Sequence, residues 1–218
     1  MTGQDSRPHG RPGQGVLWLI LIFCLLPELA SSASDFGLLP VRHLRLILAD
    51  RLAFWPTPPQ WAAYPGQTAL MYLSYAFLHA NPMHLLMNML ALFPLGRWPA
   101  ARLGPWRFLA VYLALAVAGG LGYAILQRDG QPMVGASGAL FGLYALVLGW
   151  RFRLFPDRRR ALRWVGQQIA LLVLLNGALM LAIPETIAWQ THLGGLLGGL
   201  FFAWTVPPQR PSLAKIRS

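Results

Sequence analysis

Three short groups of glycine and polar side chains interrupt long apolar runs in this sequence, and each could do chemistry. The first is Gly135-Ala136-Ser137-Gly138, followed by Ala139-Leu140-Phe141-Gly142. Glycines around a serine allow a tight turn into a helix and leave the hydroxyl uncrowded. The unpaired N–H groups of a helix start could hold a developing oxyanion. The second is His192, in Gln190-Thr191-His192-Leu193-Gly194-Gly195 with Gly199 beyond. Helical spacing puts His192, Gly195 and Gly199 on one stripe. Gly195 and Gly199 form a small-xxx-small pair that lets another helix approach closely. A neutral imidazole there can accept a hydroxyl proton. The third runs from His79 through Asn81 to His84 and Asn88. His84 and Asn88 are four apart, so they share a helix face. Both can donate hydrogen bonds without carrying charge, as an oxyanion requires.

Taken singly, each group also has a plain structural reading. Small residues mark helix packing, a histidine can cap a helix at an interface, and His84 with Asn88 can be polar glue between helices. His79 and His84 do not make a metal site, because no carboxylate or cysteine ligand lies near them in the sequence. The single cysteine, Cys24, lies in an apolar run and reads as a small packing residue. No cofactor motif is present.

The elements that must position these groups are apolar helices. The 218 residues are 56% hydrophobic and 11% charged, with a mean hydropathy of +0.47. Soluble domains carry roughly 25% charged residues, so the composition points to a membrane protein. A bilayer-spanning helix needs about 20 mainly apolar residues. Six segments come near this: Val16 to Ala33, Met83 to Leu95, Trp106 to Leu126, Ala136 to Trp150, Trp164 to Ile183, and Thr191 to Val206. The fold class expected is an all-α membrane protein. A cytoplasmic tail covers residues 1–15, the membrane domain residues 16–206, and a second cytoplasmic tail residues 207–218.

The net charge of +11 does not indicate nucleic acid binding, because the basic residues form no face beside stacking aromatics. They sit between the apolar runs. Arg7 and Arg11 precede the first run. Arg97, Arg102 and Arg107 lie between the second and third, and Arg151, Arg153, Arg158, Arg159, Arg160 and Arg163 between the fourth and fifth. Arg210, Lys215 and Arg217 close the chain. The alternate connections are nearly balanced: three acids against three arginines from Glu28 to Arg51, Arg128 beside Asp129, and Glu185 alone. The positive-inside rule then puts both termini in the cytoplasm. The first run also has features of a cleavable signal peptide; a retained span is the expectation.

The connection from Asp35 to Ala80 is long and not fully polar. Leu44, Leu46, Ile47, Leu48 and Leu52, with Arg42, Arg45 and Arg51, read as an amphipathic helix at the interface. Trp55, Trp61, Tyr64 and Tyr72 suit the headgroup level. Pro56, Pro58, Pro59 and Pro65 prevent one continuous helix.

Together, His84 with Asn88, the Gly-x-Ser-Gly around Ser137 and the His-x-Gly-Gly of His192 resemble the rhomboid family of intramembrane serine proteases. The resemblance runs from about Tyr72 to Thr205, with the motifs in the family's order in spans two, four and six. It implies a six-transmembrane-helix bundle with a long membrane-associated first outer loop. It implies Ser137 as nucleophile, His192 as general base, and His84, Asn88 and the Ser137 backbone N–H as the oxyanion hole. Gly135 would shape the loop ahead of the serine, and Gly138 and Gly195 the surrounding site. Phe141, one turn after Ser137, would pack against His192. The dyad would have no orienting carboxylate, in keeping with the lack of Asp or Glu in spans four and six. The partners implied are transmembrane segments of other proteins and the lipid bilayer, in a bacterial inner membrane.

Two departures from the family pattern stand out. A Trp-Arg pair common in the first outer loop of rhomboids is missing: Ala69-Leu70-Met71-Tyr72 stand before Leu73. Thr191 stands before His192 where alanine is usual. The missing pair keeps a silent, client-binding relative in view. A small transporter using the histidines as a proton path is the other alternative, but it would be expected to carry intramembrane Asp or Glu.

Overall fold

The computed structural model describes residues 13–56, 62–127, 130–182 and 188–207. Most of both tails, with Pro58, Pro59, Trp61, Arg128, Asp129, Ile183 and Glu185, therefore lies outside the described residues. Among the described residues eight α-helices follow in order: α1 Gln14–Asp35, α2 Leu44–Leu52, α3 Gln67–Ser74, α4 Pro82–Leu103, α5 Pro105–Leu126, α6 Ser137–Phe152, α7 Arg158–Ala182 and α8 Trp189–Thr205. A 3₁₀ turn, Tyr75–Phe77, follows α3. The six longer helices correspond to the six apolar segments. Of these, α1 and α5 are long and apolar enough to cross a bilayer by length and composition, and α6 is a shorter apolar helix.

Helix boundaries depart from the sequence reading most at α4. It continues past Leu95 to Leu103 with Pro94 and Pro99 inside it. Each internal proline removes one backbone donor, yet Pro99 is buried and its turn packs into the bundle. Arg97 and Arg102 consequently stand on α4 rather than in a loop, and Arg107 stands on α5. The connection is a single residue, Gly104, at φ 75° and ψ 167°. Its N–H closes α4 on Ala100 O at 2.9 Å, and Pro105 opens α5, as suits a first helical position. Helix α7 likewise begins earlier than expected, at Arg158.

Helix α6 is the centre of the bundle. Nine of its 16 residues are buried, among them Leu143, Leu146 and Trp150. It packs against α4, α5 and α8. Glycines set the α6–α8 spacing. A Cβ on Gly195 would run into the carbonyl oxygen of Gly138, and one on Gly199 into that of Gly142. At the far end, Trp150 Nε1 donates to Val206 O at 2.9 Å and Arg153 to Ala203 O at 3.0 Å. Arg102 and Arg151 lie over the Trp98 ring, which meets Trp150 edge-on. That end of the bundle thus gathers the arginines.

The connection between α1 and α4 is structured. Its α2 is helical, but its apolar face is interrupted: at 100° per residue, Leu44, Ile47, Leu48 and Leu52 fall within an arc of about 140°, with Arg51 inside that arc and Leu46 outside it. Leu46 and Ile47 are both exposed. What holds α2 is Arg45. Its guanidinium makes a two-pronged bond to buried Glu28 of α1, both contacts at 2.8 Å, and Nε donates to Asp35 at 2.9 Å. Hydrogen bonding to Glu28 raises the Arg45 pKa above its ordinary value. The same side chain donates to the His79 carbonyl at 3.1 Å. Gln67 Nε2 and Ser74 Oγ bond to Asp50 O and Leu52 O, tying α3 to α2.

Candidate active site

The first turns of α4, α6 and α8 meet at one end of the bundle. His192 Nε2 lies 2.9 Å from Ser137 Oγ. Both side chains are half-buried. Ser137 is the first residue of α6, and no side chain caps that helix. Its first N–H groups therefore face the space beside the serine. The Phe141 ring stacks on His192, with centroids 3.9 Å apart and planes 4° from parallel. Among the described residues no carboxylate contacts the imidazole, so ring stacking and helix packing orient it.

The segment ahead of Ser137 is held at three points. Met133 and Phe54 exchange backbone hydrogen bonds, both 2.9 Å. Tyr123 Oη donates to Gln131 O at 2.7 Å. Gly135 N donates to Tyr75 O at 2.9 Å. Gly135 sits at φ +126°, where side-chain-bearing residues are strained. A Cβ there would also lie 2.9 Å from His84 Nε2. The glycine thus serves both the turn and the seating of the His84 ring.

His84 reaches this position because α4 starts well. Pro82 occupies its first turn, and Asn81 Oδ1 caps it by accepting from His84 N at 2.8 Å. Ala80 N lies 3.5 Å from His84 Nδ1, and Nε2 faces the Gly135 side, where it can donate in the tautomer that carries its proton there. Asn88 is placed differently from a free donor. Its Nδ2 donates to the His84 backbone oxygen at 2.8 Å, and the residue is buried. One of its two N–H bonds is therefore spent within α4. His79 packs edge-on against His84 at 5.1 Å, and neither of its buried ring nitrogens has a partner among the described residues.

The structure thus brings Ser137, His192, Phe141, Gly135, Gly138, Gly195 and His84 together, with Asn88 one turn behind. The sequence reading missed Tyr75 and Arg45. Tyr75 carried no motif, and Arg45 looked like one of several interfacial arginines. Of the residues before Leu73, Met71 is buried in the core and Leu70 is exposed, so neither anchors the loop by charge. Arg45 does so instead.

Comparison with known proteins bears on the family. The family model described as the Rhomboid domain matches residues 66–209. Rhomboid protease GluP of Bacillus subtilis is 33% identical over 58% of this chain, which covers 24% of that protein. Rhomboid protein 1, mitochondrial, of Saccharomyces cerevisiae is 34% identical over 60% of this chain and 40% of its own length. Rhomboid protease GlpG of Yersinia pestis is 28% identical over 84% of this chain and 66% of its own length. This chain therefore spans only part of each of these relatives. With the domain model covering most of the sequence from α3 through α8, the chain belongs to the rhomboid family.

Proposed function

We propose that this protein is an intramembrane serine endopeptidase that cleaves transmembrane segments of other proteins with a Ser137–His192 dyad. The observation that carries the reading is the 2.9 Å approach of His192 Nε2 to Ser137 Oγ at the uncapped start of α6. An α6 of 16 residues is about 24 Å long, shorter than the roughly 30 Å hydrocarbon core. With its arginine-bearing end at one interface, its other end, Ser137, falls below the opposite surface.

In this mechanism His192 Nε2 takes the Ser137 hydroxyl proton as Oγ attacks the scissile carbonyl. The oxyanion is met by the Ser137 backbone N–H and by His84 Nε2–H, with Asn88 contributing its remaining N–H bond. His192 then returns the proton to the leaving amine as the C–N bond breaks. Water, deprotonated by the same imidazole, hydrolyses the acyl-enzyme. The substrate helix must unwind locally to present a peptide bond, so helix-weakening residues favour cleavage. The arginines at the far end support a cytoplasmic position for that end and for both chain termini, and a bacterial inner membrane is part of the same proposal.

The test is cleavage of a reporter transmembrane substrate by wild type, Ser137→Ala and His192→Ala, paired with labelling by a fluorophosphonate probe. Wild type should cleave and be labelled, and both variants should do neither. Cleavage retained by Ser137→Ala would overturn the mechanism. A wild type that neither cleaves nor labels would favour a silent, client-binding relative.

A further inference from the structure

Tyr75 touches three elements of the site at once. It is fully buried. Its backbone oxygen accepts from Gly135 N, two residues before Ser137. Its hydroxyl donates to Ala116 O of α5 at 2.7 Å. The same oxygen lies 3.4 Å from Thr191 Oγ1, the residue before His192. Since the tyrosine proton is given to Ala116, Thr191 must be the donor to Tyr75. The result is a directed chain from Thr191 through Tyr75 to the α5 backbone.

The two oxygens occupy a slot lined by glycine. A Cβ on Gly138, next to Ser137, would lie 2.6 Å from Thr191 Oγ1 and 3.0 Å from Tyr75 Oη. A Cβ on Gly119 of α5 would lie 2.8 Å and 2.6 Å from the same atoms. Thr191 is 1% exposed. The slot has room for two hydroxyls and holds them dry, where an unpaired partner would be costly.

From this geometry we infer that Tyr75 and Thr191 are positioning residues, a buried hydroxyl pair that sets the approach of His192 to Ser137. The inference rests on the dyad reading. One residue grips the loop that delivers the nucleophile, and through its hydroxyl it grips the helix turn that delivers the base. Neither side chain meets the reacting atoms. Thr191, which in sequence looked like a mild change in a small residue, is the donor that makes the link.

Thr191→Val removes the hydroxyl and keeps the shape, whereas Thr191→Ser keeps the hydroxyl. Tyr75→Phe removes the other oxygen. Each would be assayed for kcat and KM on the reporter substrate, for rate of fluorophosphonate labelling, and for thermal unfolding in detergent. Misplacement of a reacting group by about 1 Å can cost on the order of 100-fold. Thr191→Val and Tyr75→Phe should each lower kcat and labelling rate about tenfold or more with KM within about twofold, given that a partial shift costs less than that limit. Thr191→Ser should stay near wild type, and the double variant should be no worse than the poorer single one. Wild-type kcat in Thr191→Val would overturn the pairing, as would Thr191→Ser being as poor as Thr191→Val. Equal loss of kcat in Leu17→Ala, a core substitution in α1 away from the site, with its unfolding temperature lowered to the same degree, would reduce the effect to general stability and also overturn it. Ser137→Ala separates the two ideas: if it still cleaves, the dyad fails, whereas if it is inert and Thr191→Val is normal, only the hydroxyl pair fails.

Discussion

The Phe141 ring lies flat against His192, 3.9 Å between centroids. It is the closest ring–ring contact in the described residues, and it holds the imidazole plane in line with Ser137 Oγ. Aromatic pairs contribute about 0.5–1.5 kcal/mol beyond burial, or roughly two- to tenfold in rate if expressed only in the reactive geometry. Phe141→Leu should therefore lower kcat by that factor and leave KM unchanged, while Phe141→Tyr retains activity. Steady-state kinetics on the reporter substrate check this. A large KM effect with normal kcat would assign Phe141 to substrate binding instead.

Gly195 meets Gly138 O directly, so Gly195→Ala has no side chain to displace, only backbone. Overpacking typically costs about 1–3 kcal/mol, and here the displaced helix carries His192. The variant should lose most activity and unfold at a lower temperature. Gly166→Ala, with nothing within 4 Å of the added carbon, should behave as wild type or slightly better, since alanine favours helix. Thermal unfolding and cleavage measured side by side distinguish the two.

Removing Arg45 would strand Glu28, whose side chain is 3% exposed. Breaking a buried ion pair at one partner costs about 3–5 kcal/mol. Arg45→Ala should be strongly destabilised, and Arg45→Ala with Glu28→Gln should recover part of that loss. Asp35→Asn should cost little, because Asp35 is 45% exposed and exposed pairs contribute about 0–1 kcal/mol. Denaturation in detergent ranks the four proteins. If Arg45→Ala matched Asp35→Asn, Arg45 would not be the loop's anchor.

His84 and Asn88 should differ in weight. Loss of an oxyanion donor costs on the order of 100- to 1000-fold in kcat, and His84→Ala should approach this. Asn88 already spends one N–H on His84 O, so Asn88→Ala should cost less than His84→Ala and much less than Ser137→Ala. Turnover with normal expression decides the order. Equal loss accompanied by poor folding would place Asn88 with the helix rather than the site.

Local periodicity made much of this legible. Six apolar runs became six long helices because burying a run depends on its own composition. The stripe of His192, Gly195 and Gly199 could be read because helical spacing alone puts them on one face. The close approach at Gly195 follows from its having no side chain. The end of α4 was less legible: Pro94 and Pro99 argue for a stop that tertiary packing overrides. Pairings between distant residues left no local trace. Glu28 and Arg45 are 17 apart in sequence, and Tyr75 and Thr191 are 116 apart. The helix of α2 was legible, but Arg51 interrupts its apolar arc, and the tie that holds it, Arg45 to Glu28, could not be read from spacing.

The glycine contacts between α6 and α8 have a mechanical consequence. Where backbone meets backbone, no rotamer lies between the helices, so thermal motion has no soft element to act on. Ser137 and His192 then move as one stiff unit when the surrounding lipid thins or thickens. Any yielding must come from seams with side chains to spare, and among the described residues α7, with Val173 and Leu174 turned outward, packs on α6 far more lightly than α8 does.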